Sequence, residues 1–248
     1  LVVPRRSERI NKLFVRMGPG VMSAGVQQIN LAIGTMIASM QHLAPTYLYG
    51  AERIYQFPLG MIGVGFAIVL LPEISRSLRG KRIAEAQSTL RDGLVFSMLL
   101  TVPASVAMLV IPAEITNILF GWGEATNVEG IAKALVGFAF GIPAYVLIKV
   151  LQPAYFAQED TKTPMFMAGV TVLTNVILSL VLFPFIGYLG IALATSVSGW
   201  VNVLLLARGL HGFMQIGRRT WDRLGKIVFA SGIMGVLVAL AALGMQDW

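Results

Sequence analysis

Long uncharged intervals alternate along this chain with short basic ones. Residues 17–51, 54–72, 93–113, 163–207 and 227–246 carry no charge, and 131–157 is apolar apart from Lys133 and Lys149. A helix needs about 20 apolar residues to cross the hydrocarbon core of a bilayer. The interval 163–207 is long enough for two crossings, and Phe183-Pro184-Phe185-Ile186-Gly187-Tyr188-Leu189-Gly190 supplies the turn between them. The pattern predicts seven spans, at about 18–41, 53–73, 93–112, 131–156, 164–184, 189–207 and 226–244. The expected fold class is therefore all-α: a polytopic transmembrane helix bundle.

Composition supports lipid as the solvent. Only 12% of the residues are charged, about half of what a soluble domain uses to cover its surface. The formal net charge of +7 invites a nucleic-acid reading, but the basic residues sit in short blocks between apolar runs. A basic face interleaved with stacking aromatics is lacking, so nucleic acid is excluded as a partner. With the N-terminal residues 1–16 in the cytoplasm, the inside loops 1–16, 74–92, 157–163 and 208–226 hold 16 of the 19 Lys and Arg residues. This bias orients the segment with its N-terminus cytoplasmic. The basic stretch 74–92 is expected to hold a short helix, either lying in the interface or in a solvated loop. An opening Leu1 without an initiator methionine, and a stop at Gln246-Asp247-Trp248 just after the seventh span, make a longer surrounding protein the expectation.

Three stretches carry a family resemblance: RMGPGVMSAGVQQIN from Arg16, YGAERIYQFPLGMIGVGFAIVLLPEIS from Tyr49, and KVLQPAYFAQEDTKTP from Lys149. Together they resemble the MviN/MurJ family, bacterial flippases of the peptidoglycan precursor lipid II within the multidrug/oligosaccharidyl-lipid/polysaccharide exporter superfamily. The resemblance implies two six-helix lobes followed by a helix pair that forms a lipid groove. This chain would then supply the seventh to thirteenth helices. Residues 1–16 become a cytoplasmic linker, 17–208 the second six-helix lobe, and 209–248 a cytoplasmic loop with the first groove helix. Implied partners are a polyprenyl-pyrophosphate-linked sugar-peptide lipid, membrane lipids and the N-terminal lobe, all in the bacterial inner membrane.

Arg53 is the most informative single residue. It enters the second span beside Glu52, with 19 uncharged residues after it. An ionisable group in a span faces a cavity or a partner, and the planar guanidinium suits bidentate contact with phosphate oxygens. Its residue type fits equally an interfacial arginine snorkelling outward or paired with Glu52. The resemblance places Arg53 on a cavity arginine and Lys149 on the conduit side of the lobe. From its position, Lys149 could as well reach the cytoplasmic surface. Ser23, Gln27, Asn30 and Gly34 share one face of the first span. That face suits either a cavity lining, with Gln27 and Asn30 as the candidates, or interhelical packing. Substrate binding is thus expected from Arg53, Lys149, Glu52, Gln27 and Asn30.

Some family members hold a monovalent cation on an Asn, an Asp one turn on and a Thr of the next helix. Here Asn175 and Thr195 match, but Ser179 replaces the carboxylate, so interhelical hydrogen bonding is the expected role. Enzyme chemistry finds no footing. The sequence has no phosphate loop, no HExxH, no cysteine, and two histidines, His42 and His211, in separate loops. No cofactor is called for. Two readings stand beside the flippase: an exporter of another lipid-linked oligosaccharide or a drug antiporter of the same superfamily, and a non-transporting membrane scaffold.

Overall fold

A computed structural model of the chain describes residues 32–121, 128–214 and 217–246. Among these residues the chain is helical without a strand. The elements are α1 (32–38), α2 (Ala44–Pro58), a π-helical turn (Leu59–Val64), α3 (Gly65–Arg79), α4 (Ile83–Val110), α5 (Pro112–Phe120), α6 (Val128–Ala139), α7 (Ile142–Ala157), α8 (Lys162–Ile186), α9 (Tyr188–Gly209) and α10 (Arg218–Gln246). Ala44–Arg79, α4, α8, α9 and α10 are each long and apolar enough to cross a bilayer, and the pair α6–α7, bent by 43°, makes a sixth crossing if it is one span. The first expected span, 18–41, lies mostly outside the described residues.

The second span differs from its expected limits of 53–73. Helix runs without interruption from Ala44 to Arg79, roughly 54 Å at 1.5 Å per residue, well beyond the ~30 Å of hydrocarbon. Arg53 therefore lies more than two turns inside the helix rather than at its start. Pro58, which has no N–H to give the ladder, precedes the wider π-helical turn at Leu59–Val64.

The basic stretch 74–92 forms no separate interfacial helix. The ends of α3 and α4 fill it, joined by a tight turn in which Lys81 takes a left-handed φ of 56°. The Arg82 N–H donates to the Ser77 carbonyl at 2.9 Å, and Arg82 pairs with Glu85 at 2.9 Å. The loop expected after the third span holds the nine-residue helix α5. The turn between the fifth and sixth spans falls where expected but is shorter. Pro184 is still inside α8, and Gly187 alone, at φ 58°, reverses the chain. Gln41 Oε1 accepts the Tyr188 N–H there at 3.0 Å, closing the start of α9.

The fourth span is broken, and its break shows how the bundle is held together. Pro143 cannot donate to the Ala139 carbonyl one turn back. Ser105 of α4 donates to that carbonyl instead, at 2.7 Å. Ser196 Oγ donates to the Gly137 carbonyl at 2.6 Å and Trp200 Nε1 to the Phe140 carbonyl at 3.1 Å, both from α9. In lipid a freed backbone carbonyl has no water to turn to, so neighbouring helices must satisfy it.

Two buried clusters fill the bundle. One joins Tyr47, Ile54 and Tyr55 of α2 to Leu135 and Phe138 of α6 and Ile191 of α9. The other joins Leu70 and Ile74 of α3 to Leu90 of α4, Leu151 of α7 and Leu206 of α9. Of the five unbroken spans α9 is the most enclosed, whereas α10 lies along α4 with most of its surface exposed. Between α7 and α8, Asp160 Oδ1 accepts the N–H groups of Lys162 (3.1 Å) and Thr163 (3.0 Å). These first-turn donors are otherwise orphaned. Hydrogen bonds from Thr163, side chain first and then backbone, hold the Asp160 carboxyl below its usual range.

Candidate functional site

Helix α2 carries an exposed polar stripe. Thr46, Tyr49, Arg53 and Gln56 are all exposed and fall at offsets 0, 3, 7 and 10, one face of a helix. Phe57 and Met61 flank it. The exposed faces of α8 and α10 are different in kind: Phe166, Leu173, Ile177 and Leu180 on α8, and Phe229, Ile233, Val236, Leu237 and Leu240 on α10. Apolar faces of that sort match lipid tails. A stripe carrying a guanidinium in the same span needs water or protein in front of it.

The Arg53 guanidinium is held within its own helix. Its Nε donates to the Tyr49 hydroxyl at 3.2 Å and its Nη2 donates to the same oxygen. The carbon at its centre lies 5.0 Å from the centroid of the Tyr49 ring, within cation–π range. The sequence offered Glu52 as a partner for Arg53. Glu52 instead accepts from Gln56 Nε2 at 3.0 Å, one turn along.

Lys149 is half-buried on α7, and its aliphatic stem packs over the π-helical turn: a Cβ placed on Gly63 would lie 3.3 Å from Lys149 Cγ. Arg53 and Gly63 are ten residues apart, roughly 15 Å along a helix axis. The two cations therefore sit at different depths along one continuous element and do not form a single cluster. Gln27, Asn30 and Ser23 lie outside the described residues. Gly34, from the same expected stripe, faces Ile191 of α9 across ordinary contact distance.

The other sequence-selected polar residues do come together. Asn175 Oδ1 lies 3.4 Å from both Ser179 Oγ and Thr195 Oγ1, and Thr195 also donates to the Ile191 carbonyl at 2.8 Å. These three side chains thus meet across the α8–α9 contact. The Thr195 carbonyl accepts from Tyr145 at 2.9 Å and from Ser198 at 2.8 Å, extending the contact to α7.

Sequence reasoning passed over Tyr49, Gln56 and Asn202. Tyr49 and Arg53 are spaced i, i+4, a signal that was present. Asn202 Oδ1 is buried without a hydrogen-bond partner among the described residues, which no sequence pattern marks.

A model of the family described as lipid II flippase MurJ matches residues 1–248. The chain belongs to the MurJ family. It is 42% identical to the probable lipid II flippase MurJ of Rhizobium meliloti (strain 1021), over 99% of this chain and 46% of that protein. It is 35% identical to the probable lipid II flippase MurJ of Rickettsia prowazekii (strain Madrid E), over 93% of this chain and 46% of that protein. Among solved structures it superposes on the lipid II flippase MurJ in an inward closed conformation with a TM-score of 0.81 and 26% identity, covering 96% of this chain and 50% of that one. A transporter of the MOP superfamily from Pyrococcus furiosus shares the fold, with a TM-score of 0.70 at 18% identity. The chain spans about half the length of the curated relatives it matches. As a MurJ-family segment it is a multi-pass membrane protein, and its half-length match agrees with a C-terminal half.

Proposed function

We propose that this chain is the second lobe of a flippase that carries lipid II, a polyprenyl-pyrophosphate-linked sugar-peptide, across the bacterial inner membrane by alternating access. The observation that carries the reading is the polar stripe of α2, an exposed face with a guanidinium at its centre, where α8 and α10 expose apolar faces. The lipid II flippases among its relatives support the substrate class.

In this reading the stripe lines a hydrophilic cavity between this lobe and an N-terminal lobe. Arg53 holds the pyrophosphate, and Lys149 draws the same anion at another depth. Glu52 serves the head group, as do Gln27 and Asn30 from the first span. The polyprenyl tail stays in lipid. Residues 17–208 form the lobe, 1–16 a cytoplasmic linker, and α10 the first helix of a groove pair. The basic loops lie on the cytoplasmic side, with the N-terminus of the segment. The role is transport, with no bond made or broken.

The test reconstitutes the intact protein in liposomes and follows the movement of lipid II, another undecaprenyl-linked oligosaccharide and a cationic drug. Lipid II alone should move. Equal movement of the oligosaccharide would reassign the substrate, and movement of none would favour a scaffold. Single cysteines at 78–90 in this cysteine-free chain should react only from the cytoplasmic side of cells.

The Asn175–Ser179–Thr195 group acts in this proposal as a hydrogen-bonded clasp between α8 and α9. Without a carboxylate it offers an ion only neutral oxygens to replace its hydration. Asn175→Ala should therefore lower the melting temperature by the same amount in sodium and in potassium. A rise in melting temperature specific to sodium, lost in Asn175→Ala, would make the group a cation site instead.

A further inference from the structure

We infer that Tyr49 is a positioning residue for the anion site, setting which edge of the Arg53 guanidinium meets the pyrophosphate and adding a hydrogen bond of its own. The inference rests on the reading that Arg53 holds that group. A guanidinium has two edges that can grip an oxyanion with paired N–H donors: the side edge of Nε and Nη2, and the end edge of Nη1 and Nη2. In this chain the side edge is taken, because Nε and Nη2 both donate to the Tyr49 hydroxyl oxygen. The end edge is left for a ligand.

The same contact orients the phenol. Its oxygen is the acceptor for Arg53, so its own proton is directed elsewhere and is available to a second acceptor. The ring lies 5.0 Å from the guanidinium carbon and limits how far the side chain can swing. Tyr49 is itself exposed, at 58%, on the same helical face as Arg53 and Gln56. An anion approaching the end edge of Arg53 therefore meets a phenol O–H one turn away. Together these make a three-donor site, more selective for a tetrahedral oxyanion than an unrestrained arginine, because the fork is oriented before the ligand arrives.

Lysine in place of Arg53 cannot use this arrangement, since an ammonium has no side edge for the phenol to occupy. Tyr49 and Arg53 should consequently be coupled. The neighbouring Glu52–Gln56 pair is hydrogen-bonded separately, which leaves Tyr49 as the partner of Arg53 on this face.

The experiment measures binding of geranylgeranyl pyrophosphate to the intact protein in detergent. The proteins compared are wild type, Tyr49→Phe, Arg53→Lys, Arg53→Ala and the double variant Tyr49→Phe/Arg53→Lys, each with its melting temperature. Tyr49→Phe keeps the ring and removes only the hydroxyl. It should weaken binding about tenfold, the scale of one charge-assisted hydrogen bond, with no change in melting temperature because the side chain is exposed. On the Arg53→Lys background the same change should cost less than about twofold. Unchanged binding in Tyr49→Phe, with binding lost in Arg53→Ala, would overturn the role of Tyr49 and leave the cavity reading standing. Unchanged binding in Arg53→Ala would overturn both.

Discussion

Arg53→Ala in the intact protein is expected to abolish rescue of a flippase-depleted strain at normal membrane abundance. The initial rate of lipid II movement in liposomes should fall on the order of a hundredfold, the scale of losing two charge-assisted hydrogen bonds to one anion. Arg53 lies on the exposed stripe of α2 and bonds to the exposed Tyr49, not to the core, so its removal leaves the packing of the helix untouched. Arg53→Lys should retain partial activity, because it keeps the charge and loses the fork. A purely structural arginine would behave otherwise: Arg53→Ala would then lower abundance and melting temperature together. Normal growth with Arg53→Ala at normal abundance would remove the residue from the mechanism.

The second large effect concerns the break in the fourth span, where helices approach too closely for side chains. A Cβ on Gly137 would lie 2.6 Å from the Ala192 Cβ, and one on Gly141 would lie 2.5 Å from Ser196 Oγ and 2.8 Å from Ser196 Cα. The second clash is with backbone, so α7 and α9 would have to separate. That separation would pull Ser196 Oγ from the Gly137 carbonyl, now 2.6 Å away. Gly141→Ala should destabilise the protein by about 1–3 kcal/mol, the usual cost of overpacking a core, and Gly141→Val should prevent accumulation in the membrane. Gly169 on α8 has nothing within 4 Å of an added Cβ. Gly169→Ala should therefore be neutral or raise stability by up to about 1 kcal/mol. Melting temperatures of the purified variants check both, and equal effects at 141 and 169 would contradict the packing argument.

Some of this architecture is legible in the residues themselves. Lipid leaves a backbone no water to bond to, so a chain of uncharged intervals must form helices long enough to cross. For that reason the intervals 93–113 and 163–207 read directly as α4 and as the hairpin of α8 and α9. The turn at Gly187 was visible from its local residues, and Asn175, Ser179 and Thr195 were chosen from sequence and do meet. Arg53 stands out from its charge alone in an apolar span.

Tertiary structure decided the rest. The interval 131–157 reads as one continuous apolar run, yet its helix breaks at Phe140-Gly141. The donors that make this tolerable, Ser105, Ser196 and Trp200, come from 34 to 60 residues away in the chain. The second span outgrew its expected limits because helical hydrogen bonding continues past Arg53 and Glu52, which hydropathy counts as an edge. The direction of Arg53 followed the same logic. Residue type allowed a cavity, the interface or a bond to Glu52. Which neighbours bury the opposite face of α2, namely Leu135 and Phe138 of α6, left Thr46, Tyr49, Arg53 and Gln56 together on the open side. Hydrophobic spacing is a local property and reports the solvent. Which polar groups share a face, and which carbonyls find a donor, depends on helices that meet only when the chain is packed.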